Sequence, residues 1–299
     1  MTDRRRAKEA EVRRDETAEA PRLAPGLYVV ATPIGNLRDI TLRALDVLRA
    51  AALVLCEDTR VTRKLLDRHQ LAPKLLAYHD HNAASVRPRV LDELAKGSAI
   101  ALVSDAGTPL VSDPGFKLVE AAIGAGHRVF PIPGASAALA ALVSAGLPSD
   151  RFFFEGFLPP KSGARKTRLT ELRDIPATLI FYESGPRLAD SLADMTTLGA
   201  RNAAVCRELT KAFEEVRRGT LAELAAHYEK ASAPKGEIVV VVAPPGEAAK
   251  VDNDDLDARI RTAMKKFSLK DASAAIASET GIPRKEVYAR ALALAGKKS

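Results

Sequence analysis

Cysteine and long apolar segments are scarce in this chain of 299 residues. It contains only Cys56 and Cys206, which lie far apart in the sequence. This excludes a disulfide framework and a Cys-x-x-Cys metal site, and it fits a reducing compartment. The longest apolar runs, such as Ile238 to Ala243, have the length of a strand and not of a membrane span. The N-terminus is charged and no apolar signal region follows it, so we expect a cytoplasmic protein.

Three common motifs for binding and catalysis are also missing. The chain has no Gly-x-x-x-x-Gly-Lys-Ser/Thr loop for nucleotide phosphates and no Gly-x-Gly-x-x-Gly loop for a dinucleotide. It also lacks the Gly-x-Ser-x-Gly nucleophile elbow. Its loops are instead built from Gly, Pro, Ser and single carboxylates, which suit a ligand that is not anionic.

Composition indicates a globular protein with a basic excess. Hydrophobic residues make up 46% of the chain, and its length is sufficient for two ordinary domains. The net charge is +7; residues 250–299 hold eleven Lys or Arg and seven Asp or Glu, which leaves +4 there. This concentration of positive charge favours a nucleic-acid contact by the C-terminal segment, although it is weak evidence by itself.

Strand-like and helix-like segments alternate from Gly26 onwards, which predicts an α/β protein with a mostly parallel first sheet. We expect a disordered charged tail (1–23), an N-terminal α/β domain (24–148), a C-terminal α/β domain (149–246), and a linker with a helix-turn-helix-like extension (247–299). Residues 252–257 are interpreted as an acidic linker. The alternative for the extension is a plain helical hairpin that packs on the body.

A polar cluster follows each of the five strands predicted in the first domain. The carboxyl ends of parallel strands meet at one edge of a sheet, where open α/β sheets bind ligands. We therefore expect the clusters to form one site. They are Thr32-Pro33-Ile34-Gly35-Asn36, Glu57-Asp58-Thr59-Arg60, His79-Asp80-His81-Asn82, Ser104-Asp105-Ala106-Gly107-Thr108-Pro109 and Pro133-Gly134-Ala135-Ser136.

Each cluster also has a purely structural interpretation. Asp58 or Thr59 would serve equally as the N-cap of the next helix. The cluster at residues 79–81 suggests a metal, but neighbouring strand residues point to opposite faces and no third ligand follows at a convincing spacing, so we predict no metal site. The cluster at residues 133–136 is also compatible with a simple helix start.

The loops carry a specific set of motifs in a fixed order, from about residue 26 to residue 243. The motifs are Ala31-Thr32-Pro33-Ile34-Gly35-Asn36-Leu37-x-Asp39, Glu57-Asp58-Thr59-Arg60, Ser104-Asp105-Ala106-Gly107-Thr108-Pro109-x-x-Ser112-Asp113-Pro114-Gly115, Pro133-Gly134-x-Ser136-Ala137 and Phe181-Tyr182-Glu183-Ser184. Together they resemble the ribosomal RNA small subunit methyltransferase I family, in the tetrapyrrole-methylase-like class of S-adenosylmethionine enzymes.

The resemblance implies two α/β domains with S-adenosylmethionine in the cleft between them, working as a homodimer. It implies methylation of the ribose 2′-hydroxyl of cytidine 1402, in the decoding region of 16S ribosomal RNA in the small subunit. By position, the cofactor residues of the family correspond to Thr32, Pro33, Gly35, Ser104, Asp105, Ala106, Gly107, Thr108, Pro109, Val111, Pro133, Gly134, Ser136, Lys235, Gly236 and Glu237.

Methyl transfer from a sulfonium requires alignment of three atoms and no metal. A ribose hydroxyl is a poor nucleophile until it loses its proton, so a general base or a charge-stabilising cation is expected nearby. The candidates are Glu57, Asp58, Arg60, Glu183 and Lys211. Glu183 would equally pair with Arg187 or cap its helix.

RNA contacts are expected from two places, and the target nucleotide is expected to leave its stack to reach the cleft. Asn36 and Arg60 would position a phosphate or sugar. The segment from Pro159 to Arg168 is interpreted as a basic loop that clamps the RNA backbone, the alternative being a solvated loop. Its contacting residues would be Lys161, Arg165, Lys166 and Arg168.

Two other functions remain open at this point. A tetrapyrrole methylase usually has a Gly-x-Gly-Pro-Gly loop after its first strand, where this chain has Ala31-Thr32-Pro33-Ile34-Gly35-Asn36. A non-catalytic RNA-binding assembly factor would show cofactor loops eroded by bulky residues, whereas these loops are intact. Binding of S-adenosylmethionine would separate this last possibility from both enzymes.

Overall fold

The first half of the chain folds around a five-stranded parallel sheet. The computed structural model describes residues 22–246, 253–265, 267–280 and 284–296; the predicted tail lies outside these residues except at its end. The strand order is β3-β2-β4-β1-β5, with neighbouring strands parallel. The strands are β1 (Gly26–Val30), β2 (Leu53–Cys56), β3 (Leu75–Ala77), β4 (Ala99–Val103) and β5 (Val129–Ile132).

Helices cover both faces of this sheet, as the alternating pattern predicts. They are α1 (Leu42–Ala50), α2 (Thr59–Arg68), α3 (Ala83–Ala95) and α4 (Phe116–Gly124). Buried residues of α1 and α2 pack with Val30 and Val54 on one face, whereas those of α3 and α4 pack with Leu55 and Leu102 on the other. The connections through α1 and α2 run towards one edge of the sheet and those through α3 and α4 towards the other, so right-handed crossovers place the pairs on opposite faces.

The second sheet is mixed. Its order is β6-β7-β10-β8-β9; β6 and β7 are parallel and the other neighbours are antiparallel. The strands are β6 (Phe152–Phe157), β7 (Thr178–Ser184), β8 (Asn202–Arg207), β9 (Glu215–Thr220) and β10 (Glu237–Val242). The sequence pattern did not predict β9. This edge strand has Val216 as its one large apolar residue and carries charges that are common on exposed sheet edges.

Helix α5 (Ala137–Ala145) connects the two sheets. It begins just after β5, and its Ala141 and Leu142 pack against Ile180, Cys206 and Val241 of the second sheet. The opposite face of that sheet is covered by α6 (Ser162–Leu172), α7 (Gly185–Met195) and α8 (Leu221–Lys230). Because α5 starts at the carboxyl edge of the first sheet, it brings that edge against the second sheet.

The C-terminal segment forms three helices, α9 (Asn253–Met264), α10 (Leu269–Thr280) and α11 (Arg284–Gly296). They share a small apolar cluster that includes Leu256, Ile260 and Val287. The interpretation of residues 252–257 as a linker was wrong from residue 253 onwards. Acidic side chains are favourable in the first turn of a helix, and the apolar residues that follow give α9 a buried face. The sequence predicts a turn at residues 280–282 between the last two helices; Thr280 is the last residue of α10, and residues 281–282 lie outside the described residues.

The α/β architecture with a helical extension is confirmed. Within the part of the chain that the structure describes, no helix has both the length and the apolar character needed to cross a membrane.

Candidate active site

A cleft of about 370 Å³ lies where the carboxyl edge of the first sheet meets the second sheet. Both halves of the molecule contribute to its wall. The lining residues are Ile34, Asp105, Ala106, Gly107, Thr108, Val111, Ser112, Asp113, Ser136, Ala137, Phe157, Tyr182, Glu183, Ser184, Gly236, Glu237, Ile238 and Val239.

Half of the predicted cofactor residues lie on this wall. They are Asp105, Ala106, Gly107, Thr108, Val111, Ser136, Gly236 and Glu237. The others lie just behind it or beside it and are not part of the lining: Thr32, Pro33, Gly35, Ser104, Pro109, Pro133, Gly134 and Lys235.

Hydrogen bonds join the loops after β1, β4 and β5 into one wall. The Thr32 amide donates to the Gly107 carbonyl at 2.8 Å, and the Gly107 amide donates back to the Thr32 carbonyl at 3.0 Å. The Thr32 hydroxyl donates to the Ser104 carbonyl at 3.1 Å, and the Thr108 hydroxyl donates to the Ala135 carbonyl at 3.1 Å. Thr32 and Ser104 are buried; they support the wall and leave its backbone to face the cleft.

Two glycines on the wall have backbone conformations that favour glycine. Gly107 has φ +81° and Gly236 has φ +98°. A Cβ on Gly236 would lie 2.2 Å from Oε1 of Glu208, and a Cβ on Gly107 would press on Ile34 at 3.4 Å. Both positions let a ligand approach the main chain closely.

Lys211 connects the two halves of the molecule. Its ammonium lies 2.8 Å from Glu208 and 2.9 Å from Glu237, and its aliphatic stem covers Gly35, where any Cβ would clash with it. Burial disfavours the charge on Lys211, but the two carboxylates outweigh it and raise its pKa. Lys211 is therefore firmly protonated and unsuited to accept a proton.

Asn36 reinforces this connection, because its backbone amide donates to the Thr210 hydroxyl at 3.2 Å. Its side chain accepts a hydrogen bond from the Arg38 amide and caps a short 3-10 helix, Leu37–Asp39.

Asp58 and Arg60 bind each other beside the cleft and are not part of its lining. Asp58 is the N-cap of α2 and accepts the Arg60 amide at 2.8 Å, which confirms the capping interpretation. The Arg60 guanidinium lies 2.6 Å from the same carboxylate and lowers the Asp58 pKa to about 2. Asp58 is thus a weak base. The Arg60 side chain is 87% exposed despite this ion pair. Glu57, next to them, has a raised pKa because of burial and the nearby Asp105 and Asp80 carboxylates.

Glu183 lies on the wall but is occupied by its own neighbours. It is 3% exposed and accepts hydrogen bonds from the Ser191 hydroxyl and the Ser184 amide. The Arg187 guanidinium approaches it at 3.3 Å. These contacts support the interpretation of Glu183 as an ion-pairing residue. They do not make it a helix cap, because the N-cap of α7 is Ser184 and no side-chain hydrogen bond caps this helix.

The predicted basic loop is wrong beyond residue 161, because helix α6 begins at Ser162. Arg165 is 3% exposed and pairs with Asp194 at 2.7 Å, so it is not available to RNA in this conformation. Arg168 pairs with Glu155 and Glu171, while Lys161 and Lys166 remain exposed.

Asp113, Phe157 and Tyr182 line the cleft but were not among the predicted site residues. Asp113 lies in the quoted motif at residues 112–115, so the sequence carried a signal for it. Phe157 and Tyr182 are on β6 and β7, and their rings meet edge to face with centroids 5.6 Å apart. Tyr182 lies in the quoted motif at residues 181–184, so the sequence carried a signal for it as well. The position of Phe157 depends on how the second sheet packs, which no local pattern shows.

The charge of the lining is one-sided. Asp105, Asp113, Glu183 and Glu237 are on the wall, and the lining contains no Lys or Arg. Such a wall favours a cationic ligand and disfavours a phosphate. In the described ranges, no group of three or more His, Cys, Asp or Glu residues has the arrangement of a metal site.

The chain matches two models of known protein families. Residues 26–225 match the family model described as tetrapyrrole (corrin/porphyrin) methylases, and residues 250–295 match the model described as the RsmI C-terminal HTH domain.

Curated relatives named ribosomal RNA small subunit methyltransferase I cover most of the chain. The protein of Mesorhizobium japonicum is 54% identical over 274 residues, which are 91% of this chain and 93% of the relative. That of Pseudomonas aeruginosa is 47% identical over 280 residues, 91% of this chain and 98% of the relative.

Solved structures share the fold at low identity. A cobalt precorrin-4 methyltransferase of cobalamin biosynthesis superposes with a TM-score of 0.55 at 17% identity, covering 73% of this chain and 94% of that one. The uroporphyrin-III C-methyltransferase of Thermus thermophilus, complexed with S-adenosylhomocysteine, superposes with a TM-score of 0.52 at 19% identity. The superposition covers 72% of this chain and 96% of that one. At this identity the likeness shows the fold alone.

Proposed function

The chain belongs to the ribosomal RNA small subunit methyltransferase I family, and from this premise we propose that it methylates 16S ribosomal RNA with S-adenosylmethionine as cofactor. The acceptor is the ribose 2′-hydroxyl of one cytidine in the decoding region, cytidine 1402. The observation that carries the proposal is the cleft itself, which has a wall of four carboxylates without Lys or Arg and two glycines that expose the main chain.

The cleft suits the cofactor in size, shape and charge. Its volume of about 370 Å³ lies within the range of small-molecule sites. The residues that would hold the cofactor are the lining segments at 105–108 and 136–137 from the first half, and at 236–239 from the second. When bound, S-adenosylmethionine supplies a methyl group activated by its attachment to a positively charged sulfur. The carboxylates of the wall stabilise that charge, and the main chain at Gly107 and Gly236 allows close approach.

RNA is proposed to bind at the rim of the cleft, where exposed side chains are positively charged, in contrast to the acidic lining of the cleft. Arg60 projects into solvent beside the cleft, and Lys161 and Lys166 are exposed around the start of α6. These cations suit phosphate contacts. Asn36 and Arg168 are further candidates from the sequence, although Arg168 already pairs with Glu155 and Glu171. Phe157 lines the cleft while 56% exposed. Its ring offers a stacking surface to a nucleotide that has left its helix.

We also propose that the protein is a cytoplasmic homodimer, as the family resemblance implies. Large apolar side chains remain exposed on the body, among them Leu139 and Val143 on α5 and Phe116 and Ile123 on α4. Burial of such side chains in a symmetric contact would remove them from water. Light scattering of the purified protein tests the dimer, and a monomer at micromolar concentration would refute it.

The decisive experiment transfers labelled methyl from S-adenosylmethionine to small ribosomal subunits that lack the modification, followed by digestion of the RNA to nucleosides. Label in 2′-O-methylcytidine supports cofactor, substrate and reaction together. Label on a base would refute the ribose chemistry. Absence of label with intact cofactor binding would favour a small-molecule acceptor such as a tetrapyrrole, and absence of binding would favour a non-catalytic assembly factor.

A further inference from the structure

Lys211 is a cation that lies directly behind the acidic wall of the cleft. Its ammonium is 2.8 Å from a carboxylate oxygen of Glu208 and 2.9 Å from one of Glu237. Glu237 lines the cleft, whereas Lys211 and Glu208 do not. The Lys211 side chain is 27% exposed, so water and salt screen its charge less than that of a surface lysine. Lys211 thus supplies positive charge to a wall whose lining contains no Lys or Arg.

The turn that carries Lys211 is held in an unusual backbone conformation. It connects β8 to β9, and within it Glu208 has φ +51° and Thr210 has φ +66°. The Thr210 amide donates to the Glu214 carboxylate at 2.7 Å, and the Lys211 amide donates to the Glu208 carbonyl at 3.0 Å. Residues other than glycine keep such φ angles where surrounding contacts fix them. These contacts therefore hold the main chain of Lys211 in one position.

The same turn is attached to the first half of the molecule. The Asn36 amide donates to the Thr210 hydroxyl at 3.2 Å. The aliphatic stem of Lys211 lies over Gly35, where a Cβ would clash with three of its carbon atoms. Lys211 consequently spans the junction between the two halves, and its stem is fixed where the ammonium reaches both carboxylates.

One ammonium faces two carboxylates, so the cluster of Lys211, Glu208 and Glu237 keeps one uncompensated negative charge. Glu208 also accepts the Glu237 amide at 3.1 Å, and its own amide donates to the Glu237 carbonyl at 3.0 Å. Arg207, another cation near Glu208, pairs with Glu215 at 3.3 Å. Without Lys211, no ion pair within the described ranges would reach either carboxylate of the cluster.

We infer that the charge of Lys211 sets how strongly the cleft prefers S-adenosylmethionine over S-adenosylhomocysteine, an inference that rests on the proposed position of the cofactor in this cleft. The two compounds share their adenosine and amino-acid groups, and they differ by one methyl group and by the positive charge on sulfur. A carboxylate with a cationic partner attracts a second cation less than an unpaired carboxylate does, because the partner offsets its field. Lys211 therefore limits the preference for the charged compound.

A limited preference favours catalysis. Sulfur loses its positive charge as the methyl group leaves it, so an acidic wall stabilises the bound cofactor more than the transition state. Stabilisation of this kind raises the barrier and lowers the rate. Lys211 reduces this effect while the rest of the wall stays acidic. Because it is not part of the lining, Lys211 is a positioning residue that acts through Glu208 and Glu237.

Lys211→Met tests the inference, because it removes the charge and keeps an unbranched stem over Gly35. Isothermal titration calorimetry at low salt gives the Kd of each compound. The Kd of S-adenosylhomocysteine divided by that of S-adenosylmethionine should rise by about three- to tenfold relative to the wild type. A merely structural loss would weaken the binding of both compounds alike and leave this ratio unchanged. Lys211→Arg keeps the charge and should keep the wild-type ratio.

Two further variants check the sign and the location of the effect. Glu208→Gln keeps the shape and an acceptor oxygen but removes a negative charge while Lys211 stays, so the ratio should fall. Lys96→Met is the matched control. Lys96 pairs with Glu93 at 2.9 Å and lies just before β4, at the amino edge of the sheet and away from the cleft lining, so the ratio should not change.

Single-turnover methylation of undermethylated small subunits gives a second readout. With saturating cofactor, the rate of Lys211→Met should be lower than that of the wild type by up to the same factor as the shift in the ratio, whereas Lys211→Arg should retain the wild-type rate. A wild-type rate in Lys211→Met would overturn the inferred effect on catalysis.

The outcomes separate this inference from the proposed function. A wild-type protein that does not bind S-adenosylmethionine, or that binds it without methylating small subunits, contradicts the proposed function. If the wild type does both, an unchanged or lower ratio in Lys211→Met overturns the inference, because Lys211 is then a structural tie only. A higher ratio in Lys211→Met together with a lower ratio in Glu208→Gln supports it. If the melting temperature shows that Lys211→Met does not fold, an unchanged ratio in Glu208→Gln overturns the inference.

Discussion

Replacement of Asp194 by Ala should lower the free energy of unfolding by about 3–5 kcal/mol, the usual loss when one member of a buried ion pair is removed. Asp194 lies on α7, and its carboxylate is 2.7 Å from the Arg165 guanidinium, with both side chains buried. The same carboxylate accepts the Ser162 hydroxyl at 3.1 Å and lies 3.4 Å from the Lys166 ammonium. The Ala variant therefore leaves the Arg165 charge buried without its anion.

The magnitude follows from the geometry. Opposite unit charges 2.7 Å apart attract by about 6 kcal/mol at an effective dielectric constant of ~20. Most of this attraction offsets the free energy that is lost when both charges are removed from water, so the pair adds little net stability. A buried guanidinium without its carboxylate keeps the full desolvation penalty and has no attraction to offset it. Arg165→Met should cost less than Asp194→Ala, because the Asp194 carboxylate would retain Ser162 and Lys166 as partners.

Urea denaturation, followed by circular dichroism, measures the free energy of unfolding of the Asp194→Ala and Arg165→Met variants. Burial tends to raise the pKa of Asp194, but the hydrogen bonds from Ser162 and Arg165 outweigh it and lower the pKa from 3.8. The pair therefore stabilises the protein fully above pH 3.8, and the wild-type advantage over Asp194→Ala should fade as the pH falls below it. A loss of less than 1 kcal/mol at pH 7 would refute this reasoning. Weakened RNA binding in a fully stable Arg165→Met variant would instead favour the RNA contact that the sequence suggested.

Three further changes have defined outcomes. Gly107→Ala forces a side chain into φ +81° and against Ile34, so urea denaturation should show a free energy of unfolding that is lower by about 1–2 kcal/mol. The added methyl group also hinders close approach to the main chain, so calorimetry should show weaker binding of S-adenosylmethionine. Phe157→Ala removes the proposed stacking surface, worth about 1–3 kcal/mol, and should raise KM for small subunits while leaving cofactor affinity unchanged. Thr220→Ala breaks the capping box with Glu223 and should cost about 1 kcal/mol in urea denaturation without changing kcat.

The strands of the first sheet were predictable because each is a short, mostly apolar run followed by a polar turn. Their pattern does not depend on distant parts of the chain. The predicted bounds therefore differ by one residue at most from those in the structure; the predicted strands are 27–31, 53–56, 75–78, 100–103 and 129–132. β9 was missed because it is an edge strand with several charged residues and one large apolar residue, so its sequence lacks the apolar pattern that identifies the other strands. Helix α6 was taken for a loop because two prolines and a run of basic residues conceal the buried face formed by Leu169 and Leu172.

Side-chain roles were less predictable than loop positions. Arg165 looks like a surface cation in the sequence, and only Asp194, 29 positions away, converts it into a buried one. Lys211 looks like a catalytic candidate, but Glu208 and Glu237 converge on it from different strand ends. Local patterns locate the edge of a sheet where ligands bind, whereas the partner that neutralises a given charge is set by tertiary contacts.

The charges of the cleft wall explain why the site needs both halves of the molecule. Glu183 and Glu237, from the second half, lie beside Arg187 and Lys211, so their charges are largely compensated. Asp105 and Asp113, from the first half, have no such cation among the described residues. Negative potential is therefore concentrated on the side of the β4 loop, where a cationic ligand is stabilised most. The second half contributes an aromatic and aliphatic surface at residues 182, 238 and 239. A cofactor that is both cationic and largely apolar needs the two surfaces to face each other, and the covering of the second sheet by α5 keeps them together.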